Sequence, residues 1–368
     1  MIGMERKMEM KSRYLKYDVI RLTAVCLVLI THISAYLVIH FPEPSGVGFR
    51  VGAAVDCTAS VCIPLFLMLS GALLLDEKTS FDVRHFSSKN YVAIVKSLLF
   101  WLVFYAAWRG IFLPVLKGNQ PDIKVFARYF LKLDGDFPHL WYLFMLIGVY
   151  PAIPVLRLFV KEENRRYILG ILLFAVIVLF IPTTLGVLTW NSDYTIEKFM
   201  NKFKVNYITG YIIFLLTGWY LAVFPLTGRK KSLLFAAGAA ALCANILLVE
   251  KYMARIPTIM NYTLSDESIT MLLGSAALFM LLLSVCGDRL TESRMLRFLS
   301  DAAFGIYITH VMVLETLAEL VLPFEAFHKR FPILYILTLF AITFTASLGI
   351  VMLLSRFRFM RKLLHYSH

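Results

Sequence analysis

Ten long apolar segments recur along this chain, and they constrain its fold more than any other feature of the sequence. A transmembrane helix needs about 20 predominantly apolar residues to cross the hydrocarbon of a bilayer. Most of the segments approach or exceed that length, and the intervals between them are too short for a separate soluble domain. The segments are predicted at 17–39, 55–75, 91–113, 139–157, 167–182, 205–224, 232–250, 269–286, 303–322 and 332–355. We therefore expect an all-α polytopic membrane protein of about ten transmembrane helices.

Composition and charge agree with a membrane environment and give an orientation. The chain is 59% hydrophobic and 17% charged, whereas soluble domains are about half apolar and about a quarter charged. With the N-terminus inside, 22 of the 37 Lys and Arg residues lie in cytoplasmic segments and 12 in segments of the opposite side. This asymmetry places both termini in the cytoplasm. The predicted organisation is a basic tail over 1–16, a membrane core over 17–355 and a second basic tail over 356–368.

The net charge of +13 does not indicate nucleic-acid binding. The basic residues lie in short loops between apolar segments, a distribution explained by topology and by anionic lipid headgroups. The five cysteines lie within apolar segments and form neither a CxxC pair nor a Cys/His cluster. We therefore expect no disulfide framework and no metal site.

The first apolar segment contains two costly side chains, Arg21 and His32, which lie eleven residues apart. That spacing is close to three helical turns, so both project from nearly the same face, separated by a rise of about 16 Å. A guanidinium near the cytoplasmic surface can bind phosphate oxygens, and a neutral imidazole at depth can accept a proton from an attacking hydroxyl. Asp18 precedes Arg21 by one turn and is its predicted orienting partner. The alternative is that Arg21 snorkels to the headgroups and His32 bonds a neighbouring helix.

Four stretches in chain order resemble the signature of the integral membrane acyltransferase-3 family. The stretches are the Arg21–x10–His32 spacing, PLFLMLSG at 64–71, PHLWYL at 138–143 and FGIYITH at 304–310. The resemblance implies a ten-helix core in a bacterial inner membrane that transfers an acyl group, with acetyl favoured. The donor would be cytoplasmic acyl-CoA, a co-substrate rather than a bound cofactor, and the acceptor a hydroxyl of an envelope glycan or lipid-linked sugar. By this likeness, His32 would be the essential base, and Arg21 would bind the donor or hold the site.

Further basic residues lie near the start of the third segment. Arg84 and Lys89 could hold the phosphates of CoA together with Arg21. Lys96 lies about a turn and a half inside the segment, where it must snorkel or face a wet cavity. The alternative for these residues is the ordinary positive charge of a cytoplasmic loop.

Candidate acceptor residues lie at the outer end of the fourth segment. A sugar ring could rest on Trp141 while His139 donates a hydrogen bond, with Tyr142 beside them. The alternative is an interfacial aromatic belt, which we favour for Tyr142.

Three supporting residues complete the candidate set. Ser70 precedes Gly71 and permits close helix approach; no GxSxG elbow accompanies it, so a serine nucleophile is not expected. Tyr307 and His310, one turn apart, could line a cavity or satisfy core contacts, and core packing is favoured for His310.

A second functional class fits a ten-span protein with intramembrane Arg and His residues, namely a transporter or a flippase for a lipid-linked glycan. Against it, the sequence lacks paired Gly/Pro-broken segments at matching positions in two halves. Release of CoA in the presence of acceptor would identify the enzyme, and counterflow of labelled substrate the transporter.

Overall fold

The chain folds almost entirely into helices, and no strand is present in the ranges that the structure describes. The all-α prediction is thus confirmed, while the first thirteen residues of the predicted N-terminal tail lie outside the described residues. The computed structural model describes residues 14–40, 46–132, 137, 139–189, 210–253, 268–320 and 329–365.

The described helices are labelled here in chain order. They are α1 (Leu15–His40), α2 (Val47–Ala59), α3 (Cys62–Leu74), α4 (Val83–Leu116), α5 (Ile123–Lys132), α6 (Trp141–Val149), α7 (Ala152–Phe159), α8 (Glu162–Leu185), α9 (Tyr211–Val223), α10 (Gly228–Met253), α11 (Ile269–Cys286), α12 (Arg294–Leu320), α13 (Pro332–Leu354) and α14 (Arg358–Leu363).

Every predicted apolar segment contains at least one of these helices. Among the described residues, eight helical stretches are long and apolar enough to cross a membrane, and α6 with α7 raises the number to nine. The predicted segment 139–157 is not one straight helix, because α6 and α7 meet at a bend of 47°. Pro151 lies in the break, and a proline there lacks the amide hydrogen that would continue the helix. Helix α9, which lies within the predicted segment 205–224, has 13 residues, and residues 205–209 lie outside the described ranges.

Helix α1 lies at the centre of the bundle. It packs against α2, α3, α11, α12 and α13. Its apolar side chains are buried on several faces, as Ile20, Val25 and Leu29 show. Since helices surround it, its polar residues Arg21 and His32 are held inside the protein, where α12 also passes.

Two glycines allow α3 and α9 to pack closely. A Cβ atom on Gly71 would lie 1.9 Å from the carbonyl oxygen of Leu215, and one on Gly218 would lie 2.0 Å from that of Met68. No larger residue fits either position without moving a backbone. Small residues at helix contacts are the usual means of close approach in membranes, so the predicted role of the Ser70–Gly71 pair falls on Gly71.

Candidate active site

Arg21 is held by a polar network between α1 and the start of α12. Its Nη1 donates to Ser300 Oγ at 2.8 Å and lies 3.4 Å from Asp18 Oδ1. The buried carboxylate of Asp18 accepts from Ser300 Oγ at 2.8 Å and from Thr291 Oγ1 at 2.7 Å. Asp18 thus lies where an orienting partner of Arg21 was predicted. Several donors offset the desolvation cost of burying this carboxylate.

A cavity of about 410 Å³ opens beside this network, and we name it the Arg21 cavity. Arg21, Lys89 and Ser70 line it, as do Tyr142 and Tyr307. The structure therefore brings together two cations that the sequence assigned to donor phosphates. A pocket of this size falls in the range that small ligands occupy.

Arg84 and Lys96 do not share this position. Both side chains are exposed on α4, and neither is among the residues that line the Arg21 cavity. Their predicted donor contacts would need a ligand that reaches beyond the cavity. Of the three basic residues predicted on α4, Lys89 alone lies at its wall.

The C-terminal segment after α14 also reaches the Arg21 cavity, through His365. The His365 ring lies 4.7 Å from that of Phe304, and its Nε2 lies 3.3 Å from Ser97 Oγ. Burial lowers the pKa of His365 below its usual value. The imidazole is therefore an uncharged part of the wall at neutral pH.

A smaller space of about 90 Å³ lies next to the Arg21 cavity, and we name it the His32 chamber. His32 and His139 line it, together with Phe66, Tyr142 and Tyr307. The last three residues also line the Arg21 cavity, so their rings form an aromatic partition between the two spaces. The chamber has room for about three water-sized groups.

Trp141 reaches the same chamber from the first turn of α6. Its ring centroid lies 6.0 Å from that of Tyr211, the first residue of α9. The predicted acceptor group of His139, Trp141 and Tyr142 is therefore one wall of the chamber.

Three histidines from different parts of the chain form a cluster beside the chamber, and two of them, His32 and His139, line it. The His310 ring centroid lies 4.9 Å from that of His32 and 5.7 Å from that of His139. His310 Nδ1 lies 2.5 Å from the carbonyl oxygen of Tyr307. A carbonyl can only accept, so Nδ1 carries the hydrogen and Nε2 presents a lone pair. Within the described residues, no group of three or more His, Cys, Asp and Glu side chains is arranged to hold a metal ion.

The histidine cluster contains buried ring nitrogens that do not bond to any described residue. Both ring nitrogens of His139 and Nε2 of His310 have no hydrogen-bond partner among the described residues. His139 is only 1% exposed, and its backbone carbonyl accepts from the Tyr307 hydroxyl. Buried polar atoms are normally paired, and exceptions in native proteins commonly mark function.

A third space, of about 450 Å³, continues from His32 on the far side of the chamber. We name it the Arg109 cavity, because the ion pair of Arg109 and Glu315 lies on its wall. Tyr129 lines it from α5. His32 lines both this cavity and the chamber, which places the imidazole at the junction of the two spaces.

Arg109, Glu315 and His365 were not singled out from the sequence. A signal existed for the first two, because each is a charged residue within a predicted span and such residues usually face a partner or a cavity. Arg109 and Lys89 also lie in π-helical turns of α4, at Trp108–Phe112 and Phe86–Tyr91. Such turns often occur at functional sites, but no simple sequence pattern predicts them.

Comparison with known proteins assigns the chain to a family. No curated protein and no solved structure matches it. The profile of the acyltransferase-3 family, described as an acyltransferase domain, matches residues 14–352. That match spans α1 to most of α13 and so includes Arg21, all three histidines and the Arg109–Glu315 pair. The chain therefore belongs to the acyltransferase-3 family and is a multi-pass membrane acyltransferase.

Proposed function

We propose that this protein is an O-acetyltransferase of a bacterial inner membrane, which moves an acetyl group from cytoplasmic acetyl-CoA to a hydroxyl of an envelope glycan or lipid-linked sugar. The observation that carries the proposal is the place of His32. It lies in a small chamber between two larger cavities, one of which presents Arg21 and Lys89.

The Arg21 cavity suits the donor. CoA carries its phosphates at one end and its thioester at the other, so its site needs cations at the mouth and a reactive group at depth. Arg21 and Lys89 supply the cations. Arg21 and His32 lie eleven residues apart on α1, a rise of about 16 Å, which an extended pantetheine arm can follow past the aromatic partition.

In the proposed reaction, His32 acts as the general base. As the acceptor oxygen attacks the thioester carbonyl carbon, His32 takes the hydroxyl proton, the new C–O bond forms and the C–S bond breaks. The proton then passes from His32 to the leaving CoA sulfur. Positioned proton transfer of this kind contributes about 10²–10⁴-fold to a rate. His310, whose ring packs against His32, positions the imidazole.

Within the family, we propose a likeness to the O-acetyltransferase of enterobacterial common antigen. This likeness favours an acetyl donor and a glycan acceptor. Family membership favours the enzyme over the transporter or flippase. The acceptor would approach from the side opposite to CoA and meet the wall formed by His139, Trp141 and Tyr142.

Calorimetric titration of acetyl-CoA into the purified protein tests the proposal. We expect Arg21→Ala to weaken binding about tenfold or more, since a charge-assisted contact to phosphate is lost. His32→Ala should bind acetyl-CoA as the wild type does. In the presence of acceptor, it should form CoA from acetyl-CoA about 10²–10⁴-fold more slowly. Lys230→Ala, which removes an exposed cation at the start of α10, is the matched control and should change neither quantity.

Two results would contradict the proposal. One is an absence of acetyl-CoA binding in protein shown to be folded by its thermal unfolding. The other is undiminished acetyl transfer in His32→Ala, which would remove the imidazole from the chemistry.

A further inference from the structure

The Arg109–Glu315 ion pair joins α4 to α12 at the wall of the Arg109 cavity. Arg109 Nη2 and Nε lie 2.5 Å and 3.0 Å from Glu315 Oε1. Trp108 Nε1 donates to the other carboxylate oxygen at 3.2 Å. A carboxylate has about four acceptor sites, and these three donors leave capacity for a further hydroxyl.

The pair leaves the cavity without a strong net charge. Among the described residues that line the cavity, Arg109 and Glu315 are the only Lys, Arg, Asp or Glu side chains. Both are about one-fifth exposed, so each would be costly in this position without the other. The cavity therefore offers a polar but nearly neutral surface.

Aromatic rings surround the guanidinium. The Cζ atom of Arg109 lies 5.6 Å from the ring centroid of Tyr129 and 5.1 Å from that of Phe137. Gly110 makes this approach possible, since a Cβ there would lie 2.7 Å from the backbone nitrogen of Phe126 on α5. Tyr36 and Tyr129 line the cavity beside the carboxylate, and aromatic and carboxylate groups together match a molecule with apolar C–H faces and a rim of hydroxyls.

We propose that the Arg109 cavity binds an uncharged sugar, with Glu315 accepting hydrogen bonds from its hydroxyls while another hydroxyl reaches His32. The inference rests on the proposed function, because His32 must be the base that the acceptor meets. The cavity of about 450 Å³ lies within the size range of small-ligand sites, about 300–1,000 Å³. An anionic sugar would meet Glu315 directly, and Arg109 is already paired.

The test measures acetyl-CoA-dependent release of CoA thiol by the protein in lipid nanodiscs. The probes are glucose, octyl β-glucoside below its critical micelle concentration, and the anionic octyl glucuronide. The wild type should have a higher kcat/KM for the uncharged sugars than for octyl glucuronide. Glu315→Gln should raise KM for octyl glucoside about tenfold, the effect of losing a hydrogen bond to a charged group, while KM for acetyl-CoA is unchanged.

A change in preference separates recognition from a merely structural role. In Glu315→Gln, Arg109 loses this counter-charge. The ratio of kcat/KM for octyl glucuronide to kcat/KM for octyl glucoside should therefore rise. Glu315→Asp keeps the charge and should raise KM for the glucoside without that gain, and it serves alone if Glu315→Gln does not fold. Glu163→Gln, a change at an exposed carboxylate in the first turn of α8, is the matched control.

The outcomes distinguish this inference from the function on which it rests. If acetyl-CoA binds, two results would overturn the sugar site. One is a higher kcat/KM of the wild type for the glucuronide than for the glucoside, and the other is an equal change in kcat/KM for both glycosides in Glu315→Gln. Failure of acetyl-CoA to bind would instead overturn the proposed function. Turnover of octyl glucoside or of glucose supports the site, and their ratio shows whether the sugar arrives on a lipid or free in solution.

Discussion

The imidazole rings of His32 and His310 lie 4.9 Å apart between centroids, although one belongs to α1 and the other to α12. His310 is fully buried, and its Nδ1 is occupied by the Tyr307 carbonyl. The rest of the His310 ring therefore packs against the rings of His32 and His139.

His310→Asn should slow the reaction without weakening the binding of the acyl donor. Asparagine can still donate to the Tyr307 carbonyl but presents no ring to His32. We expect kcat to fall about tenfold or more and the acid limb of the pH–rate profile to change, with KM for acetyl-CoA unaltered. His85→Asn, at an exposed histidine of α4, is the control. An unchanged kcat and profile would make His310 a packing residue only.

Ser300→Ala should weaken donor binding rather than catalysis. The hydroxyl links Arg21 to Asp18, and its loss leaves the guanidinium less well oriented. KM for acetyl-CoA should rise roughly three- to tenfold with little change in kcat. Ser284→Ala removes a hydroxyl that bonds only its own helix in α11 and is the comparison. Steady-state kinetics of both variants decide the matter.

Ile63→Ala should relax the selection of the acyl group. Ile63 lines the His32 chamber, whose volume of about 90 Å³ suits an acetyl group. Each methylene accommodated or rejected changes discrimination by about 10–200-fold, so the rate ratio of butyryl-CoA to acetyl-CoA should rise at least tenfold. Ile177→Ala, at a mostly exposed position of α8, should leave this ratio as it is. Equal ratios in both variants would show that the acyl group lies elsewhere.

Gly71→Ala should destabilise the protein, because the added methyl group would overlap the Leu215 carbonyl. Overpacking of this kind costs about 1–3 kcal/mol. Gly170→Ala provides the comparison, since a Cβ there meets nothing within 4 Å, and helix propensity alone should make it neutral or slightly stabilising. Thermal unfolding in detergent should give a lower midpoint for Gly71→Ala only.

Acidification should destabilise the docked C-terminal segment through His365. Burial lowers the pKa of His365, so the unfolded state binds its proton first as pH falls through about 6.5. Stability therefore rises with pH across this window and is lost below it. Between about pH 7.5 and pH 5.5, the unfolding midpoint should fall less in His365→Gln than in the wild type. Parallel curves would show that His365 has no part in this dependence.

The local parts of the site follow from the sequence. Arg21 and His32 share one helix, so backbone geometry alone relates them, and Asp18 lies one turn away. The helices of the bundle were likewise predictable, because the length and apolar composition of each segment predict a transmembrane helix without reference to the rest of the chain. The bend between α6 and α7 had a visible cause in Pro151.

The contacts across the bundle could not be predicted in the same way. Arg109 and Glu315 pair over 206 positions of the chain, and the return of His365 to α4 depends on how α14 packs. Helix packing decides these neighbours, and the spacing of residues along one chain does not encode it. His310 belongs to the same group, since its sequence neighbours favoured simple core packing.

The aromatic partition of Phe66, Tyr142 and Tyr307 has a consequence for the cell as well as for the reaction. Under the proposed function, donor and acceptor reach the enzyme from opposite sides of the membrane, and an open path between their cavities would let ions cross. Each 100 mV of membrane potential drives a crossing charge by about 2.3 kcal/mol. Because the space between the two large cavities narrows to a chamber walled by bulky rings, the proposed reaction would carry one proton across with each acyl group, without a wide path for other ions.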